Sequence, residues 1–286
     1  MRNVTVRQVF RKAMKVVFLR VPRLGRVLEE RDKLRQQVRL LSAGASVAVA
    51  QPAQSKASPN LVGLSKFIKF GSLVFDIGAF EGFKTLEYLE LGASVVCFEP
   101  NRESGKVLQE KFKHNPHVRI ELCGLSDREG AFLFHPASVR AQSTFSEDLV
   151  TAGVPWFPPD QWSSTPYEVK TTTVDRMVEK YGMPDFVKID VEGLESSVLR
   201  GMRAARPQSL SFEFYPTFPK KYLECLRLLQ DFGYSRFNYI INGLVPHQES
   251  DESRFDDWVT YEELLLPARF GFQTSPSVIS SSSPQR

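Results

Sequence analysis

The sequence of 286 residues is poor in the residues that build metal and disulfide frameworks, with three cysteines and four histidines. Cys97, Cys123 and Cys225 are widely spaced in apolar or helical contexts, so they form neither a metal-ligand spacing nor a disulfide pattern. No apolar run reaches the roughly 18 residues of a membrane-spanning helix, and the basic N-terminus lacks an apolar stretch with a cleavage site. These absences argue against a disulfide-rich secreted domain and predict a cytoplasmic protein.

Charge is distributed unevenly along the chain. The formal net charge is +4, but Met1–Leu40 alone holds twelve Lys/Arg against three Asp/Glu, which leaves the remaining residues mildly acidic. The 42% hydrophobic and 24% charged composition is that of an ordinary globular protein. Because the basic residues are concentrated on an arm and the body is acidic, the sequence argues against a nucleic-acid partner.

Four segments are predicted. Residues 1–41 form a basic helical arm that Pro22 breaks in two, and this arm could lie peripherally on an anionic membrane at the inner surface or pair with a partner helix as a short coiled coil. Residues 42–60, small and polar, form a flexible linker. Residues 61–270 form the folded domain, and the serine-rich residues 271–286 form a disordered tail.

Strands and helices alternate through the body of the chain, from LVFDIG at Leu73 onward. This alternation predicts an α/β fold with a mostly parallel, doubly wound sheet. Two helix-poor runs near the end, SRFNYII and WVTYEELLLP, predict an antiparallel hairpin at one edge of that sheet. Ligands of such sheets bind outside the carboxyl ends of the strands, so the residues that follow each strand are the candidates for a site.

The first predicted strand ends in DIGAFEG, Asp76 to Gly82. Glycines at a strand-to-helix turn let the backbone approach a ligand, and the start of the following helix favours an anion. The same glycines could also make no more than a tight turn. The dinucleotide fingerprint G-x-G-x-x-G is absent, because Phe80 and Phe83 stand at its second and third glycines. The turn therefore suits a smaller ligand with an ammonium and a carboxylate.

The second predicted strand ends at Glu99, which lies 23 residues after Asp76. An acidic residue at this place can accept hydrogen bonds from both ribose hydroxyls of a nucleoside. A later strand, FVKIDV, is followed by three carboxylates within six residues, namely Asp190, Glu192 and Glu195. Clustered carboxylates at a strand end can take a proton from a hydroxyl, cap the next helix or hold a divalent metal.

The motifs DIGAFEG, FEPN, LCGLSDREG, TTTVD and FVKIDVEGLESSVLRG together resemble the FkbM-type family of S-adenosylmethionine-dependent methyltransferases. The resemblance runs from about Leu73 to Phe214. It implies a seven-stranded Rossmann-like methyltransferase fold, S-adenosylmethionine as cofactor, and transfer most often to an oxygen of a sugar or polyketide-like acceptor. The family usually has Asn or a similar polar residue where this chain has Phe80.

On this resemblance the donor pocket and the catalytic residues can be assigned. Glu192 is the predicted general base, and Asp190 touches the ammonium of the donor or the acceptor. No metal is predicted, and His135 and Glu213 are alternative bases. Ser126 and Asp127 could reach the adenine, and the aromatic stretch from Val154 to Tyr167 could form a lid. The predicted cofactor-binding residues are Asp76, Gly78, Ala79, Phe80, Gly82, Glu99, Gly124, Leu125 and Asp190.

Two other functions use the same architecture. An NAD-dependent oxidoreductase also has an acidic residue at the end of the second strand, although the missing glycines argue against it. A non-catalytic methyltransferase-like module, recruited by its basic arm, is the second alternative. The preferred function is O-methylation of a sugar, a glycan or a related small-molecule hydroxyl.

Overall fold

The structure is a computed structural model that describes residues 63–152, 158–163, 165–213, 219–241 and 276–281. The chain divides into two units, Met1–Ser55 and Lys56–Arg286, and all the described residues belong to the second. The predicted arm, the predicted linker and the run WVTYEELLLP lie outside the described residues, so the proposed membrane or helix contact of the arm stays a prediction. In the described part of the chain, every helix is too short or too polar to cross a bilayer.

Ten strands and six α-helices make up the described domain. The strands are β1 (Leu73–Ile77), β2 (Ser94–Phe98), β3 (Val118–Glu121), β4 (Gly124–Leu125), β5 (Gly130–Phe134), β6 (Tyr167–Thr172), β7 (Phe186–Ile189), β8 (Ser209–Glu213), β9 (Arg236–Ile241) and β10 (Pro276–Ser281). The helices are α1 (Phe83–Glu90), α2 (Arg102–Phe112), α3 (Glu147–Thr151), α4 (Val174–Tyr181), α5 (Glu195–Arg200) and α6 (Pro219–Asp231).

Seven strands form the main sheet in the order β3-β2-β1-β7-β8-β10-β9. The first five are parallel, and β10 lies antiparallel to both of its neighbours. The order of the strands along the chain reverses between β1 and β7. The connections that leave these two strands therefore form a crevice at their carboxyl ends. A parallel sheet of this order with one antiparallel strand near its edge is the Rossmann-like methyltransferase fold, which confirms the predicted fold class.

The central strands are buried on both faces because helices cover each side. Phe75, Ile77 and Val187 pack into one apolar cluster, whereas Val74 and Val95 point to the other face and pack with Tyr88 of α1. Side chains alternate between the faces with a period of two, as the pleat requires. The sheet is therefore a rigid platform for the turns at its carboxyl edge.

The described edge of the sheet contains a strand that was not predicted, while the predicted hairpin partner WVTYEELLLP lies outside the described residues. The partner of β9 is β10, which belongs to the segment 271–286 that was predicted to be disordered. Low-complexity composition argued for disorder, but the apolar pair Val278 and Ile279 interrupts the serines, and backbone pairing to β8 and β9 needs no particular side chain. The prediction of a disordered tail is wrong for residues 276–281.

A second, three-stranded sheet in the order β4-β6-β5 was not predicted. The run HVRIELCGLS contains two strands, β3 and β4. The irregular stretch that follows contains β5, which pairs antiparallel with β6. Strand β4 has two residues, too few for a periodic pattern to show. This small sheet brings the segment after β5 over the carboxyl edge of the main sheet.

Candidate active site

The carboxyl ends of β1, β2, β7 and β8 open into one cavity of about 300 Å³. The cavity is lined by most of the residues that the sequence had singled out, which are Gly78, Ala79, Phe80, Glu99, Gly124, Leu125, Asp190, Glu192 and Glu213. Asp76 and Gly82 are not among the lining residues. A single cavity thus connects the turn after β1 (residues 78–82, the glycine turn), Glu99 at the end of β2, and Asp190 and Glu192 after β7.

The glycine turn is held close to β7. Gly78 has a φ of 75°, and a Cβ atom there would lie 1.7 Å from the carbonyl oxygen of Asp190. The glycine is therefore required by the contact between two neighbouring turns, and not by a ligand alone. Phe80 also lies in the left-handed region with a φ of 51°, which is strained for a residue with a large side chain. Its ring contacts that of Phe83, with centroids 6.2 Å apart.

Asp76 and Gly82 pack against the protein interior and do not line the cavity. The Asp76 side chain is completely buried, accepts a hydrogen bond from the Thr85 hydroxyl at 2.7 Å and lies 3.4 Å from the Lys188 ammonium. A Cβ atom at Gly82 would lie 2.5 Å from the Phe112 ring, so this glycine lets α1 approach α2. Both residues were predicted to bind the cofactor, and the structure places neither on the cavity wall.

Glu99 lies at the cavity with both carboxylate oxygens already engaged by backbone. One oxygen accepts from the Phe80 N–H and the other from the Asn101 N–H, each at 2.7 Å. Burial raises the pKa of Glu99 to about 7, although the two backbone hydrogen bonds oppose this rise. Each oxygen keeps a second lone pair, so the carboxylate can still accept hydroxyl groups from the cavity side.

Lys188 is a site residue that sequence reasoning did not single out. Its ammonium donates to the Gly78 carbonyl at 2.7 Å and lies 3.2 Å from Asp190 and 3.4 Å from Asp76. Burial alone would lower the pKa of Lys188, but the two carboxylates outweigh it and the pKa is raised. A lysine inside an otherwise apolar strand was the available signal, since an unpaired buried ammonium is very costly.

Three carboxyl groups lie close together at the wall of the cavity. Oxygens of Asp190, Glu192 and Glu213 lie within 4.8 Å of one another. Burial raises the pKa of Glu213 well above its usual range, and the charge of Asp190, to which Glu213 is hydrogen-bonded, raises it further. This raised pKa favours the protonated form of Glu213. These oxygens could hold a metal ion, but the Glu213 proton and the Lys188 ammonium already reduce the repulsion within the cluster.

Glu192 is presented by a strained turn. It has a φ of 55°, and Gly193 follows with a φ of 95°. The Thr144 hydroxyl donates to the Glu192 carbonyl at 2.6 Å. Glu195 accepts from the Val191 and Gly193 N–H groups at 3.2 and 3.1 Å, and burial raises its pKa to about 7. Glu195 thus supports the turn from behind and does not line the cavity.

The segment between β5 and α3 forms a wall that the sequence did not predict. Arg140, Ala141, Ser143 and Phe145 line the cavity beside Gly124 and Leu125. Arg140 forms an ion pair with Glu81 of the glycine turn. No motif marks this segment, because its place depends on the three-stranded sheet. The stretch after it lies partly outside the described residues, and its Trp162 pairs with Ala137 away from the cavity.

Two candidates lie away from the cavity. His135 is buried and its imidazole contacts the Glu147 carboxylate at 3.0 Å. Asp127 is bonded to the Ser126 hydroxyl and to Arg128. Neither His135 nor Asp127 lines the cavity, so His135 is poorly placed as a base and Asp127 as an adenine ligand.

The residues around the cavity fit S-adenosylmethionine. The ligand offers ribose hydroxyls, an ammonium and a carboxylate, and the cavity is lined by both Glu99 and Asp190. Lys84 also lines the cavity and offers a cation to a carboxylate. The cavity volume is in the range of small-molecule sites, which begins at roughly 300 Å³.

Comparisons with known proteins agree with this architecture. The sequence matches the methyltransferase FkbM domain over residues 76–236, more than half of the chain. It is 36% identical over 123 residues to the hexuronic acid methyltransferase AglP of Haloferax volcanii, which covers 42% of this chain and 45% of AglP. It is 27% identical over 192 residues to the 2-O-methyltransferase NoeI of Sinorhizobium fredii, which covers 62% of this chain and 75% of NoeI.

Solved structures are similar at low identity. A precorrin-6y C5,15-methyltransferase from Geobacter metallireducens has a TM-score of 0.44 and 10% identity, over 83% of this chain and 95% of that chain. A SAM-dependent O-methyltransferase from Thermotoga maritima has a TM-score of 0.42 and 12% identity, over 83% of this chain and 69% of that chain.

The strand order and the cavity at the switch point define a methyltransferase-type fold. The chain belongs to the FkbM methyltransferase family. Its match spans less than half of the length of AglP.

Proposed function

We propose that this protein transfers a methyl group from S-adenosylmethionine to a hydroxyl oxygen of a sugar or glycan. The observation that carries the proposal is the single cavity that Glu99, Asp190 and Glu192 line together with residues 78–80 of the glycine turn. The names of AglP and NoeI, a hexuronic acid methyltransferase and a 2-O-methyltransferase, support a sugar hydroxyl as acceptor.

The chain's own residues would bind and orient the donor. When bound, S-adenosylmethionine supplies an electrophilic methyl group on a cationic sulfur. Glu99 would accept the ribose hydroxyls through the lone pairs that its backbone partners leave available. Asp190 would face the ammonium group. Positioning of this kind contributes several kcal/mol to a reaction of two partners.

Glu192 is the base that we assign. It lines the cavity, and it would take the proton of the acceptor hydroxyl as that oxygen forms its bond to carbon. The other carboxyl groups are less suitable. Asp190 is engaged by Lys188 and Glu213, and the raised pKa of Glu213 favours its protonated form. A positioned carboxylate base contributes about 10²–10⁴-fold to the rate.

A methyl-transfer assay tests the proposal. Purified protein would be incubated with S-adenosylmethionine and a panel of glycosides of hexuronic acids, neutral hexoses and deoxyhexoses, with products detected by mass spectrometry. We expect a gain of one methyl group on a hydroxyl oxygen of at least one glycoside, which the Glu192→Gln variant should lose. Binding of S-adenosylhomocysteine without transfer to any sugar hydroxyl would contradict the proposed acceptor, and absence of that binding would contradict the proposed donor.

A further inference from the structure

The turn that carries Glu192 is in a conformation that its own residues disfavour. Glu192 and Gly193 are successive residues with φ values of 55° and 95°. A side chain as large as Glu is rare in the left-handed region, and surrounding contacts must hold it there. A Cβ atom at Gly193 would lie 2.7 Å from a methyl carbon of Leu149, which is fully buried. The turn is therefore pressed against α3.

Two side chains from outside the main sheet hold the two carbonyl groups of this turn. The Thr144 hydroxyl donates to the Glu192 carbonyl at 2.6 Å. The Lys221 ammonium donates to the Gly193 carbonyl at 3.0 Å. Thr144 is buried, and its hydroxyl oxygen also accepts the Ser146 N–H at 2.8 Å. Consecutive carbonyls are thus fixed by donors that come from two different segments.

Lys221 also connects the turn to α3. Besides Gly193, its ammonium donates to the Ser146 hydroxyl and contacts the Asp148 carboxylate, both at 3.0 Å. An ammonium has three donors, and three oxygens surround this one. Lys221 lies in the first turn of α6, so one side chain joins α6, the start of α3 and the Glu192–Gly193 turn.

We propose that Lys221 and Thr144 are positioning residues that hold the Glu192–Gly193 turn so that the Glu192 carboxylate faces the acceptor. The inference rests on the proposed function, in which Glu192 is the base. Thr144 lies between Ser143 and Phe145, which both line the cavity. An acceptor that contacts this wall therefore also contacts the segment that orients the base.

Hydrogen exchange of the turn tests the positioning without donor or acceptor. In Lys221→Met, we expect amides of residues 190–195 to exchange at least roughly tenfold faster, because a charge-assisted hydrogen bond is lost. Lys221→Arg should restore protection to near the wild-type level. Lys220→Met is the matched control, because Lys220 is the exposed neighbour on the same helix, and it should exchange like the wild type.

Kinetics test whether the two residues act through Glu192. With an acceptor from the glycoside panel, Lys221→Met and Thr144→Val should each lower kcat by about tenfold, with the S-adenosylhomocysteine dissociation constant changed less than about twofold. Lys221→Arg and Thr144→Ser should recover most of the loss. In a Glu192→Gln background, Lys221→Met should have no further effect on kcat, since residues that act as a unit are not additive.

Three results would overturn the inference. One is unchanged exchange of residues 190–195 in Lys221→Met. The second is a kcat loss in Lys221→Met that multiplies with that of Glu192→Gln. The third is a loss that Lys221→Arg does not recover. Different results would contradict the proposed function, namely normal turnover by Glu192→Gln or the absence of methylation of every glycoside.

Discussion

Two turns at the ends of the neighbouring strands β1 and β7 have the same unusual feature and are held in different ways. Each places a non-glycine residue in the left-handed region, Phe80 in one and Glu192 in the other. The first turn is held by residues of adjacent strands, because Lys188 of β7 bonds the Gly78 carbonyl and Glu99 after β2 bonds the Phe80 N–H. The second is held by side chains that lie outside the main sheet.

The difference separates binding from chemistry. The turn after β1 faces the proposed donor. Its contacts form when the sheet forms, because Lys188 and Glu99 belong to the neighbouring strands or follow them directly. The turn after β7 depends on α6 and on the wall between β5 and α3. Substitutions at the first should therefore change donor affinity or stability, whereas substitutions at Glu192 and at the side chains that hold its carbonyl and that of Gly193 should change turnover.

The largest effect is expected for Glu192→Gln. The amide preserves the shape of the side chain and removes its basicity, so kcat should fall by about 10²–10⁴-fold. Binding of S-adenosylhomocysteine, measured by calorimetry, should stay near normal. Glu195→Gln is the control in the same turn and should have a mild effect, because Glu195 lies behind the cavity wall. If Glu192→Gln turned over normally but melted earlier, Glu192 would be a structural residue and not the base.

Lys188→Met should be the most destabilising of these substitutions. It leaves Asp76 and Asp190 without the ammonium that lies 3.4 and 3.2 Å away. Removing one partner of a buried ion pair costs about 3–5 kcal/mol, which urea denaturation would measure. Lys170→Met, at an exposed position of β6, should cost less than about 1 kcal/mol. A similar small cost for Lys188→Met would show that the ammonium does not hold the first turn.

Donor affinity should depend on Glu99. Glu99→Ala removes two charge-assisted acceptors and should weaken S-adenosylhomocysteine binding by roughly 30- to 1000-fold, or about 2–4 kcal/mol. Glu99→Gln keeps one acceptor oxygen and should lose less. Glu103→Ala, at an exposed position of α2, is the control for calorimetry. An unchanged dissociation constant in folded Glu99→Ala would contradict the ribose assignment, and tight NAD binding would favour the oxidoreductase alternative.

The smallest expected effect is a change of stability with pH at Glu195. Burial raises its pKa from 4.5 to about 7, so the folded protein keeps a proton that the unfolded chain has already lost. This contribution to stability is present below the unfolded pKa and is lost as pH rises through 7. Relative to Glu195→Gln, the wild type should lose roughly 2–3 kcal/mol between about pH 5 and about pH 8.

Thermal or urea melts across this pH range measure the effect. Glu99, whose pKa is also about 7, titrates in both proteins, so its contribution cancels from the difference. Glu90→Gln, at an exposed position of α1, should follow the wild type. Parallel stability profiles for the wild type and Glu195→Gln would contradict the raised pKa.

Sequence reasoning was most successful where local pattern and burial agree. The parallel strands read as apolar runs, and helix α4 follows an N-cap at Thr173, whose side chain accepts from Arg176 N–H at 3.2 Å. The acidic end of β2 and the carboxylates after β7 were expected at one edge of the sheet, because parallel strands end together. The structure brings them to one cavity.

The missed features depend on contacts between distant parts of the chain. Lys188 gains its partners only because β1 lies beside β7, where Asp76 is paired to Lys188 in the register. The glycines were assigned to a ligand, whereas Gly78 is required by the Asp190 carbonyl. The wall from Arg140 to Phe145 has no local signature, since its position follows from the pairing of β5 with β6.

The position of β10 has a consequence for synthesis of the protein. Strand β10 lies between β8 and β9, although both are earlier in the chain. On the ribosome, β8 and β9 are complete before residues 276–281 emerge, and of the described strands only β7 can then pair with β8, whose other edge can join another chain. Among the described strands, β9 pairs only with β10. The nascent domain therefore has an aggregation-prone interval that ends when its last described strand inserts, and chaperone binding during translation would protect it most at that stage.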